Sequence, residues 1–192
     1  MTPRKTLLAL PLALGLSACL SFGAKPPPFF LRLTAAASPA ASAPRSGPAS
    51  QAITVVVPVV PQELRTTRVP VRTGANQVAY LPNASWVEAP NALFARLLSD
   101  TIAARGRIVL DPSQFTLDPG VRLSGTLQSF GLVADTNEAV VIYDAAIARG
   151  PDRIETRRFE ARIPATTDPA GAAAALNQAA NQVAAEVAGW VG

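Results

Sequence analysis

Apolar and polar positions alternate singly along three stretches in the second half of the chain. Val121, Leu123 and Leu127 interleave with Arg122, Ser124, Thr126 and Gln128, which predicts a strand with one dry and one wet face. Phe159, Ala161 and Ile163 interleave in the same way with Arg158, Glu160 and Arg162 across a segment running from Ile154 to Ile163. Between these two, Glu138 to Ala148 reads as their partner, reached across the turn residues Asp135-Thr136-Asn137. Together they predict an antiparallel meander with a polar face.

A three-to-four residue period marks two helices. From about Asn91 to Ala104, Phe94, Leu97, Leu98, Thr101 and Ile102 share a face opposite Arg96, Ser99 and Asp100, with Pro90 suited to the first turn and Gly106 just past the end. From about Pro169 to Val191, Leu176, Ala180, Val183, Val187 and Trp190 recur opposite Asn177, Gln178, Asn181, Gln182 and Glu186. So alanine-rich a helix must pack closely, with modest buried area. Each has one apolar side, so two helices are expected on one face of a sheet.

The first half of the chain carries shorter signals. Ile53 to Val60 is almost wholly β-branched, as in a strand buried on both faces, although Pro58 and Pro61 limit its pairing. Arg68 to Arg72 and Gln77 to Leu81 predict a hairpin through Thr73-Gly74-Ala75-Asn76, and Arg107 to Leu110 a brief strand. Phe29 to Leu33 has the content of a first strand. Thr34 to Ser50 is Ala, Ser, Pro and Gly with the single charge Arg45, and it reads as a flexible low-complexity insert. The fold class that follows is α+β, one domain over residues 29–192, with a mainly antiparallel sheet and two helices on one face.

Residues 1–18 follow a different grammar. Arg4 and Lys5 precede an apolar run from Thr6 to Leu16 and the small pair Ser17-Ala18, the layout of a signal peptide. The run is shorter than the roughly 20 apolar residues that span a bilayer. Leu16-Ser17-Ala18-Cys19 resembles the bacterial lipobox, which implies cleavage before Cys19 and its acylation. Residues 19–28 would then be a lipidated tether, in which Ala24 to Pro28 favours an extended polyproline path of about 3.1 Å per residue. Leu20, where lipoproteins kept in the inner membrane carry Asp, favours the outer membrane.

Composition removes function classes. Cleavage leaves 192 − 18 = 174 residues and lowers the formal charge from +4 to +2, too little to neutralise many phosphates, so no nucleic acid is expected as a partner. There is no histidine, Cys19 is the one cysteine, and no Gly-Lys-Ser/Thr sequence forms a P-loop. No cofactor, metal or catalytic residue is therefore assigned, and the chain reads as a non-enzyme. Asp135 and Glu138 sit beside Asn137 as turn residues rather than as an acid-base pair. Arg153, Arg157, Arg158 and Arg162 with Glu155 and Glu160 describe a solvated strand face more readily than a headgroup site. Trp86 has two readings, a cap on the core at a strand-to-helix junction or a partner contact.

The succession Phe29-Phe30-Leu31, Val55-Val56-Val57-Pro58-Val59, Pro61-Gln62-Glu63-Leu64, Arg68-Val69-Pro70-Val71-Arg72, Val78-Ala79-Tyr80-Leu81 and Trp86-Val87-Glu88 before a helix resembles the ABC-type transport auxiliary lipoproteins, which include the lipoprotein of the Pqi system. That resemblance spans about Phe29 to Trp190. It implies a periplasmic accessory, anchored in the outer membrane, to a lipid transporter built from a permease, an ATPase and a protein with an MCE (mammalian cell entry) domain. The MCE protein would be its partner, with phospholipid as a further ligand. Departures are the insert at Thr34 to Ser50 and Glu63-Leu64-Arg65 where the family has Tyr-Leu-Asp. Alternatives of another kind are a lipid-binding carrier and an assembly lipoprotein contacting peptidoglycan or a barrel.

Overall fold

The computed structural model describes residues 27–39, 45–112, 120–150 and 152–192, so Cys19 and the signal-peptide residues lie outside the described residues. In chain order the elements are β1 (Phe29–Leu31), β2 (Ile53–Val55), β3 (Arg68–Thr73), β4 (Gln77–Trp86), α1 (Pro90–Ala104), β5 (Val109–Leu110), β6 (Val121–Val133), β7 (Glu138–Arg149), β8 (Arg153–Pro164) and α2 (Pro169–Val191). Short 3-10 turns occupy Ala49–Gln51 and Gln62–Leu64.

Strand β6 is the axis of the sheet. One edge pairs along its length with β7, which pairs in turn with β8, giving the expected antiparallel meander. The other edge is divided between two partners: β2 lies parallel to Val121–Leu123 and β3 parallel to Leu132–Val133. Val59 bridges the middle, donating its amide to the Gly125 carbonyl at 3.0 Å and accepting from Leu127 at 2.9 Å. β4 and then β1 extend the sheet beyond β3, and β5 extends it beyond β2.

This arrangement corrects the expectation of a mainly antiparallel sheet. β3–β4, β6–β7 and β7–β8 are antiparallel, while β1–β4, β2–β5, β2–β6 and β3–β6 are parallel, so the sheet is mixed. The physical reason lies in connectivity. Antiparallel neighbours are joined by tight turns that the sequence announces, whereas parallel neighbours are joined by long crossovers with no local signature. Pro58 and Pro61 imply that the strand from Ile53 ends near Val57 or bulges at an edge, and it ends at Val55: Ile53, Thr54 and Val55 are buried, while Val57 and Val59 are about half and two-thirds exposed.

Both helices lie on one face. Phe94 of α1 meets Tyr143 of β7 with ring centroids 5.3 Å apart, and Trp190 of α2 meets Phe159, the residue opposite Tyr143, at 5.5 Å. Leu127, Tyr143 and Phe159 form one cross-strand row beneath them, none more than 1% exposed. Burying a side chain of this size contributes about 1.5–3 kcal/mol.

The ends of α2 are held from outside the helix. Asp168 is its N-cap, accepting from the Ala170 and Gly171 amides, and it also accepts from the Thr166 hydroxyl. Thr166 and these amides hold the Asp168 carboxyl below its ordinary range. No basic residue lies in the last turn. Arg149 of β7 reaches the Val191 carbonyl at 2.9 Å and Arg105, just after α1, the Ala185 carbonyl at 3.0 Å.

Candidate functional site

The residues that sequence reasoning singled out are not gathered into one place. Trp86 is 1% exposed and packs against Phe130 with centroids 5.1 Å apart, so of its two readings the structure gives the core cap, and the partner-contact reading is corrected. The cause is register: Trp86 lies opposite Leu31 of β1, on the helix-covered side, at the head of an aromatic run through Phe130, Phe94 and Tyr143. Its indole Nε1 and the Tyr143 hydroxyl are both buried without a hydrogen-bond partner among the described residues. Burial pushes the Tyr143 phenol well above its usual range.

The arginine group is divided between the two faces of β8: Arg158 and Arg162 lie on the wet face of the meander, whereas Arg153 and Arg157 are in step with Phe159 on the helix-covered side. Arg158 holds Asp144 through two donated bonds of 2.6 and 2.7 Å, and Gln128 adds a third at 3.1 Å. Asp144 is accordingly held below its ordinary range, chiefly by the Arg158 hydrogen bond, and Arg158 is raised in return. Arg162 pairs with Glu160 at 2.6 Å and with Glu138 at 3.3 Å, Arg153 pairs with Glu155 at 2.9 Å, and Arg157 lies over the Phe159 ring. Among the described residues β8 pairs only with β7, and charges on such an edge discourage pairing with other chains.

Asp135 and Glu138 behave as turn residues. Asp135 accepts from the Gly74 amide at 2.8 Å, tying the β6–β7 turn to the β3–β4 turn, and Glu138 accepts from the Thr136 hydroxyl at 2.8 Å. Among the described residues no group of three or more His, Cys, Asp or Glu side chains could hold a metal ion.

Two features lay outside the sequence reading. The first is a strap: Asn177 and Asn181, one turn apart on α2, accept from the Thr34 and Ala36 amides at 2.8 and 2.7 Å, and Asn181 donates back to the Thr34 carbonyl at 2.9 Å. Both asparagines were legible only as polar-face residues, since nothing local says what they bind. The second is an open groove of about 450 Å³ between α1 and the β2–β5 border, floored by Val55, Val57, Ala92, Ala95, Val109 and Leu110 and rimmed by Arg96, Ser99 and Asp100. Arg96 is held at its rim by Glu88 at 2.7 Å. Ala92, Ala95 and Ala103 of α1 line this space, and their short side chains do not fill the gap to the strands.

A family model described as ABC-type transport auxiliary lipoprotein component matches residues 32–188, from just after β1 to near the end of α2. The chain belongs to that family. Auxiliary lipoproteins of this kind are associated with an ABC transport system and with a membrane-associated, periplasmic location, and the family is not a known enzyme family. Among the described residues no helix is long and apolar enough to cross a membrane.

The auxiliary-lipoprotein fold is also found among solved structures. Protein XCC0632 from Xanthomonas campestris is similar at a TM-score of 0.69 and 22% identity, over 84% of this chain and 93% of that one. An uncharacterised protein is similar at a TM-score of 0.66 and 18% identity, over 77% and 96% respectively. At these identities the likeness shows the fold. No curated protein matches.

Proposed function

We propose that this auxiliary lipoprotein is held on the periplasmic face of the outer membrane by acylated Cys19 and docks the MCE-domain protein of an ABC lipid transporter. The observation that carries the reading is the family match over residues 32–188 standing directly downstream of Leu16-Ser17-Ala18-Cys19. The role is positional. The domain sets where a partner is held between the membranes, while ATP hydrolysis belongs to another subunit.

Two measurements test it together. Membrane fractionation should place the wild-type protein in the outer membrane with an acylated Cys19, and Cys19→Ser should leave it unprocessed or soluble. Affinity capture from detergent extracts should recover the MCE-domain protein encoded beside a permease and an ATPase. Normal outer-membrane localisation of Cys19→Ser would sink the anchor, and capture of a barrel protein alone would favour an assembly role. A second reading, a carrier that itself holds lipid, draws on the groove beside α1. Native mass spectrometry would support it if phospholipid stayed bound to the folded protein, and Ala95→Trp, which fills the groove, should then release that lipid.

A further inference from the structure

We propose that the edge strand β1 is a lipid-surface contact: Phe29 and Phe30 enter the headgroup boundary of an anionic phospholipid membrane, so that the domain rests on the bilayer by this edge of its sheet. The inference rests on acylation of Cys19 and goes beyond it, since an anchor alone leaves the orientation of the domain free.

Exposure sets these two residues apart. Phe94, Phe130 and Phe159 are at most 1% exposed, whereas Phe29 and Phe30 are 54% and 60% exposed. They occupy the outermost strand of the sheet, where uncovered apolar side chains and unpaired backbone invite association. Val87 is also exposed, and its amide donates to the Leu31 carbonyl, which brings it to the same border. Phe29 lies opposite Ala84 and Phe30 opposite Ser85, so the two rings leave the strand on opposite faces of the sheet.

The edge cannot readily turn inward. Leu31 is buried, and the backbone at Thr34 and Ala36 is bound by Asn177 and Asn181, which fixes the path of β1 from its far end. Phe29 stands 29 − 19 = 10 residues after Cys19. Such a length spans at most about 35 Å. An acylated Cys19 therefore holds this edge within about 35 Å of the bilayer.

Charge specifies the surface. Arg32 follows the strand directly and is exposed. Arg68 lies in the same row as Phe30, aligned through Ser85, with its guanidinium 4.1 Å from the Tyr80 ring centroid. Among the described residues neither arginine is in an ion pair, in contrast to Arg153, Arg158 and Arg162 of β8. Aromatic side chains flanked by cations match an anionic headgroup layer.

The test uses the native acylated protein reconstituted in phosphatidylethanolamine and phosphatidylglycerol vesicles with brominated acyl chains. Phe30→Trp adds a third tryptophan beside Trp86 and Trp190 and should lose up to about a third of its emission on bromination, the added indole lying at the headgroup boundary. The wild-type protein, with Trp86 buried and Trp190 packed on Phe159, should change little. Phe29→Ser/Phe30→Ser, at exposed positions, should keep the wild-type thermal midpoint and lose the orientation of the domain on the vesicle, read as free tumbling of a label on β8. Emission insensitive to bromine in protein whose Cys19 is verified as acylated by mass overturns the insertion and leaves the anchor standing. An unmodified Cys19 overturns both. If bromination is silent while the double variant abolishes capture of the MCE-domain protein, the edge is a protein contact and the lipid assignment falls.

Discussion

Two rows of side chains, one residue apart on the same three strands, divide the labour of the meander. Leu127, Tyr143 and Phe159 face the helices and are buried, while Thr126, Asp144 and Arg158 face away and meet water. The backbone ladder beneath the two rows is shared, so the difference between them comes from side chains alone. Apolar burial on the first face supplies the stability. Ion pairs on the second, exposed and screened, supply little and instead keep the surface soluble and unpaired.

Truncating the buried row is the strongest way to break that comparison. Tyr143→Ala removes a ring packed against Phe94 and should cost about 3–5 kcal/mol in urea unfolding. Thr126→Ala, one row away, should stay within about 0.5 kcal/mol of wild type. Equal losses at the two positions would mean that the open face is covered and that the contrast is false.

Gly131 is where the simple division of faces should fail. It aligns with Val140 and Arg162 on the side away from the helices, where Gly131 and Val140 are nonetheless buried, and a Cβ there would overlap the Pro70 carbonyl oxygen and approach the Pro70 ring at 2.8 Å. β3 passes so close because its parallel pairing with β6 begins at the next residue, Leu132. Gly131→Ala should therefore cost about 1–3 kcal/mol although the position faces away from the helices. A neutral result would show that β3 can shift away from β6 freely.

These two positions also measure how far the sequence could be read. The period-two pattern made the buried row legible, with Phe159, Ala161 and Ile163 inward and Arg158, Glu160 and Arg162 outward. Both helices were legible to within a residue, since periodicity, Pro90 and Gly106 all agree. Gly131 gave no such signal, because its constraint comes from a strand some sixty residues earlier in the chain. The same blindness hid the parallel pairings of β1 and β2 and the strap made by Asn177 and Asn181. Trp86 was legible as a choice between core and surface, and only the register with Leu31 decided it. Phe29 and Phe30 were legible as a strand but not as an uncovered edge, which depends on what lies beyond β4.

The orphaned hydroxyl sharpens the contrast from the buried side. Tyr143→Phe keeps the ring and removes a buried donor that has no partner among the described residues, so it should stabilise the protein by about 1 kcal/mol. The same measurement decides whether an unseen partner satisfies that oxygen: a loss of stability would reveal one.

Asp144→Asn probes the open face at its strongest pair, and its effect should be the smallest. Arg158 holds the Asp144 carboxyl below its ordinary value of 3.8, so the folded state binds a proton there less readily than the unfolded chain. The stabilisation is thus fully present above that ordinary value and disappears as pH falls through the lower folded value. At neutral pH the variant should melt no more than about one degree below wild type, as for an exposed pair. Acidified below both values, the two proteins should melt together, because the wild-type carboxyl is then protonated as well. A difference that persisted in acid would have to come from packing or from the Gln128 bond, and the open face would hold more of the fold together than its exposure implies.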